Sequence, residues 1–109
     1  MFKKKIKIYK NNTGFLVPIS FKKDIPFKPK RVFVIHGKKN SIRGEHAHYK
    51  CFQFLIPLYG SMNVEYENKK GKFKTYLSLK KTNFLLLNPK TWCKIKFKTN
   101  KSKLLVFCN

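Results

Sequence analysis

Residues 43–60 are the most informative stretch of this chain, and they read RGEHAHYKCFQFLIPLYG. In an extended strand, residues i and i+2 project to the same side, so His46 and His48 are predicted to aim two imidazoles into one space. In the run that follows, the apolar residues at the even positions of 52–58 share one face of a strand. Gln53 lies on the opposite face, either as an outward residue or as part of a pocket.

The same period of two continues through most of the chain, and no stretch has convincing helical spacing. Turn-forming residues separate the extended stretches, as at Asn11-Asn12-Thr13-Gly14 and Asn88-Pro89. So many short strands at close spacing predict an all-β sandwich or barrel. The candidate strands are residues 4–9, 14–20, 31–36, 52–59, 62–67, 73–79, 84–87, 92–97 and 103–107.

Length and composition predict one folded domain over residues 1–109. A chain of 109 residues lies within the usual size of a single domain, and we find no linker or repeat. Its residues are 42% hydrophobic and 16% aromatic, so burial can offset the entropy of folding despite the charge.

The net charge of +22 would attract polyanions at low salt. Of the 26 Lys and Arg residues, however, all but Arg31 and Arg43 are lysine, and they are spread along the chain. Proteins that read phosphates and bases favour the planar arginine side chain at specific points. A solvated lysine surface is therefore favoured over a dedicated nucleic-acid face, and a basic nucleic-acid-associated protein remains the third alternative.

The cysteines and the amino terminus indicate a cytoplasmic protein. Cys51, Cys93 and Cys108 are odd in number and lack C-x-x-C spacing, which favours reduced thiols. The basic start is followed by alternation and not by a continuous apolar run, so no signal peptide is expected. No apolar run approaches the length of a membrane span, so no membrane partner is expected.

The pattern His46-x-His48, then Gln53, then Gly60 resembles the first signature of the cupins, H-x-H-x(3,4)-E-x(6)-G, with glutamine in place of glutamate. The resemblance implies a single cupin (RmlC-like) β-barrel, or jelly roll. In metal cupins a further histidine comes from a second motif, which would fall on residues 89–93 and has no histidine here. Only two of four donors remain, so we expect no metal.

Within the cupins, the chain resembles the nucleotide-sugar 3,4-ketoisomerases known as WxcM-like or FdtA-like proteins. The similarity rests on Arg31-Val32-Phe33, on the run Arg43 to His48, on Gln53-Phe54-Leu55-Ile56 and on Gly60-Ser61. It implies a metal-independent isomerase that acts on dTDP-4-keto-6-deoxy-glucose without a cofactor. The product would serve the synthesis of modified deoxysugars for surface glycans such as the O-antigen of lipopolysaccharide. A homodimer is also implied.

By this resemblance, His46 and His48 form the catalytic acid–base pair, with His46 favoured as the base at C3; either could instead orient the sugar. Arg43 would serve the developing oxyanion or the diphosphate. Arg31, His36 and Gln53 complete the predicted substrate-binding set.

The chain departs from the family pattern in three places, one of which is the acidic tail that the family has after its last strand. It reads Phe33-Val34-Ile35-His36 where the family usually has tyrosines, and His36 is the candidate substitute. It reads Asn12-Thr13-Gly14 within the family turn D-x-R-G-x-L, so an arginine is absent. These departures leave a second alternative open, a cupin that binds nucleotide-sugars without turnover.

Overall fold

The structure is a computed structural model that describes residues 5–48 and 50–109, with the backbone alone at residues 46–48. In these residues it contains β-strands and no helix, which confirms the all-β prediction. The described part of the chain therefore has no helix that could cross a membrane. The strands are β1 (Tyr9–Asn11), β2 (Gly14–Leu16), β3 (Arg31–Gly37), β4 (Ile42–His48), β5 (Gln53–Tyr59), β6 (Met62–Asn68), β7 (Gly71–Leu77), β8 (Leu85–Leu87), β9 (Thr91–Phe97) and β10 (Ser102–Cys108).

The strands form two four-stranded sheets and a small hairpin, and all their pairings are antiparallel. The first sheet has the order β3-β10-β5-β8, and the second has the order β4-β9-β6-β7. β1 and β2 pair with each other across the predicted turn at Asn12 and Thr13, where the Asn11 side chain accepts a hydrogen bond from the Thr13 amide. Most neighbouring strands are distant in sequence, so each sheet is assembled by crossovers.

An apolar core lies between the two sheets. Strand alternation explains it, because Ile95 and Phe97 are buried while Lys94 and Lys96 occupy the other face of β9, as predicted. Lys98, directly after the strand, is exposed. Both sheets contribute to this core, which consists of Leu55, Met62, Val64, Leu77, Leu87, Cys93, Ile95, Phe97, Leu104 and Val106.

A second apolar cluster covers the outer face of the first sheet and includes the amino-terminal segment. Ile6 and Ile25 pack there against Phe54, Ile56, Phe84 and Phe107. Asn83 holds the segment in place, because its side chain accepts a hydrogen bond from the Ile6 amide at 3.2 Å and donates one to the Ile6 carbonyl at 2.7 Å. The prediction of a strand at residues 4–9 is therefore wrong for residues 5–8; Lys4 lies outside the described residues.

Other strand boundaries also differ from prediction. The strand predicted at 14–20 ends at Leu16, two residues before Pro18, whose nitrogen cannot donate to a ladder. The Ser20 amide instead donates to the Asp24 carboxylate at 2.7 Å. β4 was not among the candidate strands, although its histidines were expected on an extended chain.

Candidate active site

A β-bulge in β4 shapes the site. Pairing between β4 and β9 shifts between Gly44 and His46, and Glu45 is the extra residue. Gly44 and Glu45 have positive φ angles of 92° and 67°. A Cβ at Gly44 would also lie 2.9 Å from the carbonyl oxygen of Cys93. The glycine of the R-G-x-H motif is therefore required by both conformation and space.

The bulge changes which residues of β4 share a face. In a regular strand, Arg43 would lie on the opposite face from His46 and His48, because their positions differ by odd numbers. With the extra residue, all three occupy register positions opposite buried residues of β9, and each of those partners is only 4% exposed. The pairs are Arg43 with Ile95, His46 with Cys93, and His48 with Thr91. The backbone register thus places Arg43, His46 and His48 at positions of one face of β4.

The structure describes the backbone but not the side chains of His46 and His48. The prediction that the two imidazoles project into one space therefore stays a prediction. Their register positions in β4 are consistent with it.

A cavity of about 410 Å³ opens between β3 and β4, which are edge strands of the two sheets. All four residues predicted to bind substrate, Arg31, His36, Arg43 and Gln53, line this first cavity. Apolar side chains form most of the remaining wall, namely those of Phe33, Val34, Ile35, Leu55, Ile95 and Val106, together with the Cys93 thiol. Four residues that are far apart in sequence thereby line one cavity, and their role in substrate binding stays a prediction.

The polar residues of the first cavity differ in burial and in their position along its wall. Gln53 is buried and lies on the same face of β5 as Leu55, which establishes its place in a pocket rather than at the surface. Arg31 is exposed, and its guanidinium lies 5.2 Å above the Phe33 ring. His36 is exposed and belongs to the outer-facing set of β3 with Val34, so it reaches the cavity at its rim.

Cys93 is buried in the wall of the first cavity, opposite His46 in register. Burial raises the pKa of its thiol above the usual value, because the low-dielectric surroundings disfavour the thiolate. The group is therefore a neutral thiol at physiological pH.

A second cavity of about 940 Å³ lies between β7 and β8, the other edge strands of the two sheets. Thr91 lines it, as do Tyr66 and Phe73, whose rings stack with centroids 5.3 Å apart. Its cationic lining residues are Lys5, Lys69, Lys70, Lys81 and Lys90. Among the described residues, no Asp or Glu lines either cavity, so both favour anionic ligands.

Sequence reasoning missed this second cavity and Thr91. The cavity is built from the ends of β6, β7 and β8, which only the sheet order brings together. The available signal for Thr91 is its place in the second cupin motif, at residues 89–93.

Comparisons with known proteins agree with this geometry. The FdtA family, described as WxcM-like, C-terminal, matches residues 2–109. A curated relative, TDP-4-oxo-6-deoxy-alpha-D-glucose-3,4-oxoisomerase from Aneurinibacillus thermoaerophilus, is 46% identical over 55 residues. That alignment covers 50% of this chain and 40% of the relative, less than half the relative's length.

Solved structures of 3,4-ketoisomerases superpose on most of the chain. One is a histidine-to-asparagine mutant of QdtA from Thermoanaerobacterium thermosaccharolyticum in complex with TDP-4-keto-6-deoxyglucose, with 32% identity and a TM-score of 0.83, covering 95% of this chain and 75% of that one. Another is WlaRA, a TDP-fucose-3,4-ketoisomerase from Campylobacter jejuni, with 29% identity and a TM-score of 0.82, covering 96% and 78%. With the family match over nearly all its length, the chain belongs to the FdtA family of WxcM-like proteins.

Proposed function

We propose that this protein is a dTDP-4-keto-6-deoxy-glucose 3,4-ketoisomerase. The observation that carries the proposal is the bulged β4, which groups Arg43, His46 and His48 opposite buried residues of β9. The first cavity beside them is lined by Arg31, Arg43 and Gln53. Family membership supports the same reaction, since the curated relative and the structural neighbours are sugar 3,4-ketoisomerases.

The reaction requires proton transfer between two adjacent carbons. His46 removes the proton from C3, next to the C4 ketone, and an enediolate forms across C3 and C4. His48 delivers a proton to C4, while the hydroxyl proton of O3 is lost and the C3 ketone forms; the oxygen on C4 takes up a proton. Histidine suits both roles because its unperturbed pKa lies near neutrality.

Cationic groups would stabilise the enediolate. The negative charge develops on the C4 oxygen, and a guanidinium can donate two parallel hydrogen bonds to oxygen groups of the substrate. Arg43 lines the first cavity and shares its face of β4 with the histidine positions. We assign Arg43 to the oxyanion or the diphosphate, and Arg31, His36 and Gln53 to substrate binding.

The donor set does not fit the metal site of a metal cupin, so we propose a metal-independent reaction. Gln53 contributes a neutral amide where a carboxylate would be needed. The residues of β9 opposite the two histidines are Cys93 and Thr91, and burial keeps the Cys93 thiol protonated. No further charged donor is supplied by these positions.

Removal of metal is accordingly expected to leave activity unchanged. The purified protein should contain no stoichiometric zinc, iron, manganese or nickel by elemental analysis. Dialysis against a chelator should not lower the isomerisation rate. One tightly bound metal per chain, lost in His46→Asn and His48→Asn variants, would contradict this prediction.

We further propose that residues 1–109 form a single cupin domain, with the two sheets closing into an RmlC-like jelly-roll barrel. The core shared by both sheets and the cavities between their edges support this arrangement. The proposed setting is cytoplasmic synthesis of modified deoxysugars for surface glycans, including the O-antigen of lipopolysaccharide.

The protein is expected to be a homodimer. Phe15 and Leu16 of the β1–β2 hairpin are 57% and 63% exposed, and Val32 and Val34 on the edge strand β3 are 54% and 56% exposed. Exposed apolar side chains beside an open sheet edge favour association. Light scattering at micromolar concentration should give twice the 13.0 kDa chain mass. A monomer under these conditions would contradict the prediction.

The decisive experiment follows the sugar by NMR after adding the protein to dTDP-4-keto-6-deoxy-glucose. Conversion of the 4-ketone to a 3-ketone supports the isomerase. If the wild-type protein binds the dTDP-sugar but never interconverts the ketones, the non-catalytic binding module is correct. The absent arginine at the Asn12–Gly14 turn and the absent tyrosines near Phe33 would then be the first explanation.

Specific nucleic-acid binding is not part of the proposal. The lysines of β9 alternate with core residues and lie on the outer face of the second sheet, where Lys94 is 4.0 Å from Glu65. A titration with dTDP and with an oligonucleotide at moderate salt separates the two ligands. The affinity of nonspecific polyanion binding falls steeply as the salt concentration rises. Binding of dTDP should therefore still be measurable at a salt concentration that abolishes oligonucleotide binding.

A further inference from the structure

The second cavity has a partly polar wall where the inner faces of the strands are otherwise apolar. On β6, Val64 belongs to the core, and Tyr66, two residues further on the same face, lines the cavity. On β7, Leu77 and Thr75 are related in the same way. The inner face of β9 begins with Thr91, which also lines the cavity. Polar residues at core-facing positions of three strands indicate a built site and not a gap in packing.

Thr91 brings a buried hydroxyl without a partner to this wall. The residue is only 4% exposed, and its Oγ1 has no hydrogen-bond partner. Among the described residues it is the one buried side-chain oxygen or nitrogen in this condition. Such a group costs free energy unless its bond is completed, for instance by a ligand. A polar atom of a molecule in the cavity would complete it.

The positive charge around the second cavity comes from several separate segments. They are the amino-terminal segment, the β6–β7 turn, the β7–β8 connection and the β8–β9 turn. No Asp or Glu of the described residues lines the cavity, so these ammonium groups repel one another until an anion is bound. Their number suits a ligand with more than one negative charge. The lysines are Lys5, Lys69, Lys70, Lys81 and Lys90.

An aromatic surface lies beside these charges. Tyr66 and Phe73 are directly opposed in the β6–β7 pairing, and their rings stack with centroids 5.3 Å apart. Phe73 is 41% exposed, so its ring retains surface for contact with a ligand. Leu85 and Leu87 add apolar wall. The volume of about 940 Å³ is typical of sites for small organic ligands, and a phosphate ion alone would leave most of it unfilled.

We propose that the second cavity binds a nucleotide, with the base against the Tyr66–Phe73 pair and the phosphates among the lysines. An oxygen of the ligand completes the Thr91 hydrogen bond. The cavity lies between two sheets and not along an open face, which favours a single nucleotide over a nucleic-acid strand. It is bordered by β7 and β8, whereas the first cavity is bordered by β3 and β4, so this site is separate from the candidate active site. The inference does not rest on the proposed isomerase reaction.

The first test measures binding by calorimetry at moderate salt. ADP is the nucleotide used, because stacking on aromatic side chains is tolerant of the base. Adenosine and inorganic phosphate are titrated separately, and ADP should bind at least about tenfold more tightly than either. Phe73→Leu keeps an apolar side chain but removes the ring, and it should weaken ADP binding by roughly fivefold to a hundredfold.

Charge and location each have a matched control. Lys69→Ala/Lys70→Ala should weaken ADP binding by about tenfold or more, because two charged donors are lost from the cavity. Lys96→Ala/Lys98→Ala removes the same charge from residues that line neither cavity, and it should have little effect. Arg31→Ala alters the first cavity and should leave ADP binding unchanged.

Thr91→Val tests the buried hydroxyl at constant shape. The variant should weaken ADP binding by roughly twofold to tenfold, and Thr91→Ser should restore it. In the ligand-free protein, the valine variant should melt at the wild-type temperature or above it, because it removes an unpaired buried hydroxyl. A hydroxyl that served only the fold would give a lower melting temperature on removal.

Four results would overturn the inference. They are the absence of ADP binding at millimolar concentration, equal losses in the two double-lysine variants, loss of ADP binding in Arg31→Ala, and tighter binding of an oligonucleotide than of ADP that is lost in Phe73→Leu. The last result would make the surface a nucleic-acid site. A wild-type protein without isomerase activity that still gives the expected ADP results leaves the inference intact, and only the proposed function fails.

Discussion

Replacing either His46 or His48 by asparagine is expected to lower the rate of 3,4-isomerisation by about a hundredfold or more. Asparagine retains a hydrogen-bonding side chain of similar reach but cannot take up or release a proton near neutral pH. General acid–base catalysis typically contributes about a hundredfold to ten-thousandfold, so the loss should appear in kcat. The measurement is the initial rate of ketone migration, followed by NMR.

Binding and isotope measurements separate chemistry from affinity in this prediction. The affinity for dTDP should change little in both variants, because the nucleotide does not take part in the proton transfer. His36→Asn provides a comparison with the third histidine, which lies at the cavity rim and should affect KM more than kcat. In deuterated water, the wild-type product should carry deuterium at C4 unless the abstracted proton returns without exchange. Full activity in both His46→Asn and His48→Asn would contradict the assignment.

Alternation predicted the faces of the strands that form the core. The alternate burial of β9 and the placement of Gln53 beside Leu55 follow from a period of two and needed no further information. The amino-terminal segment has the same alternation but forms no strand at residues 5–8. Its backbone groups at Ile6 are bonded by Asn83, a residue 77 positions away, which local pattern could not reveal.

At the bulge in β4, the alternation of a regular strand predicts the wrong face for a residue of the candidate site. Period two places the two histidines together but puts Arg43 on the other face. The extra residue is Glu45, whose φ of 67° is uncommon outside glycine. Gly44 indicates an unusual backbone conformation at this point. The register shift itself can be recognised only from the pairing of β4 with β9. The sequence therefore offers candidate residues for the site, but it does not reveal the register that groups them.

Replacing Arg43 is expected to have the second large effect on catalysis. Arg43→Ala should lower kcat/KM by about a hundredfold to a thousandfold if the guanidinium stabilises the enediolate, since loss of one oxyanion donor has effects of this size. Arg43→Lys should recover only part of the rate, because a lysine ammonium lacks the planar pair of donors. Steady-state kinetics and the affinity for dTDP are measured for both variants.

Whether Arg43→Ala changes kcat or the affinity for dTDP distinguishes the two roles assigned to Arg43. A fall in kcat with unchanged dTDP affinity places the guanidinium at the oxyanion, whereas weaker dTDP binding places it at the diphosphate. Lys96→Ala is the matched control, because Lys96 pairs with Ile42 on the other face of the same two strands. That variant also loses one positive charge, so a general electrostatic effect would appear in both. Unchanged kinetics and affinity in Arg43→Ala would exclude the residue from the site, and the bulge would then serve the histidines alone.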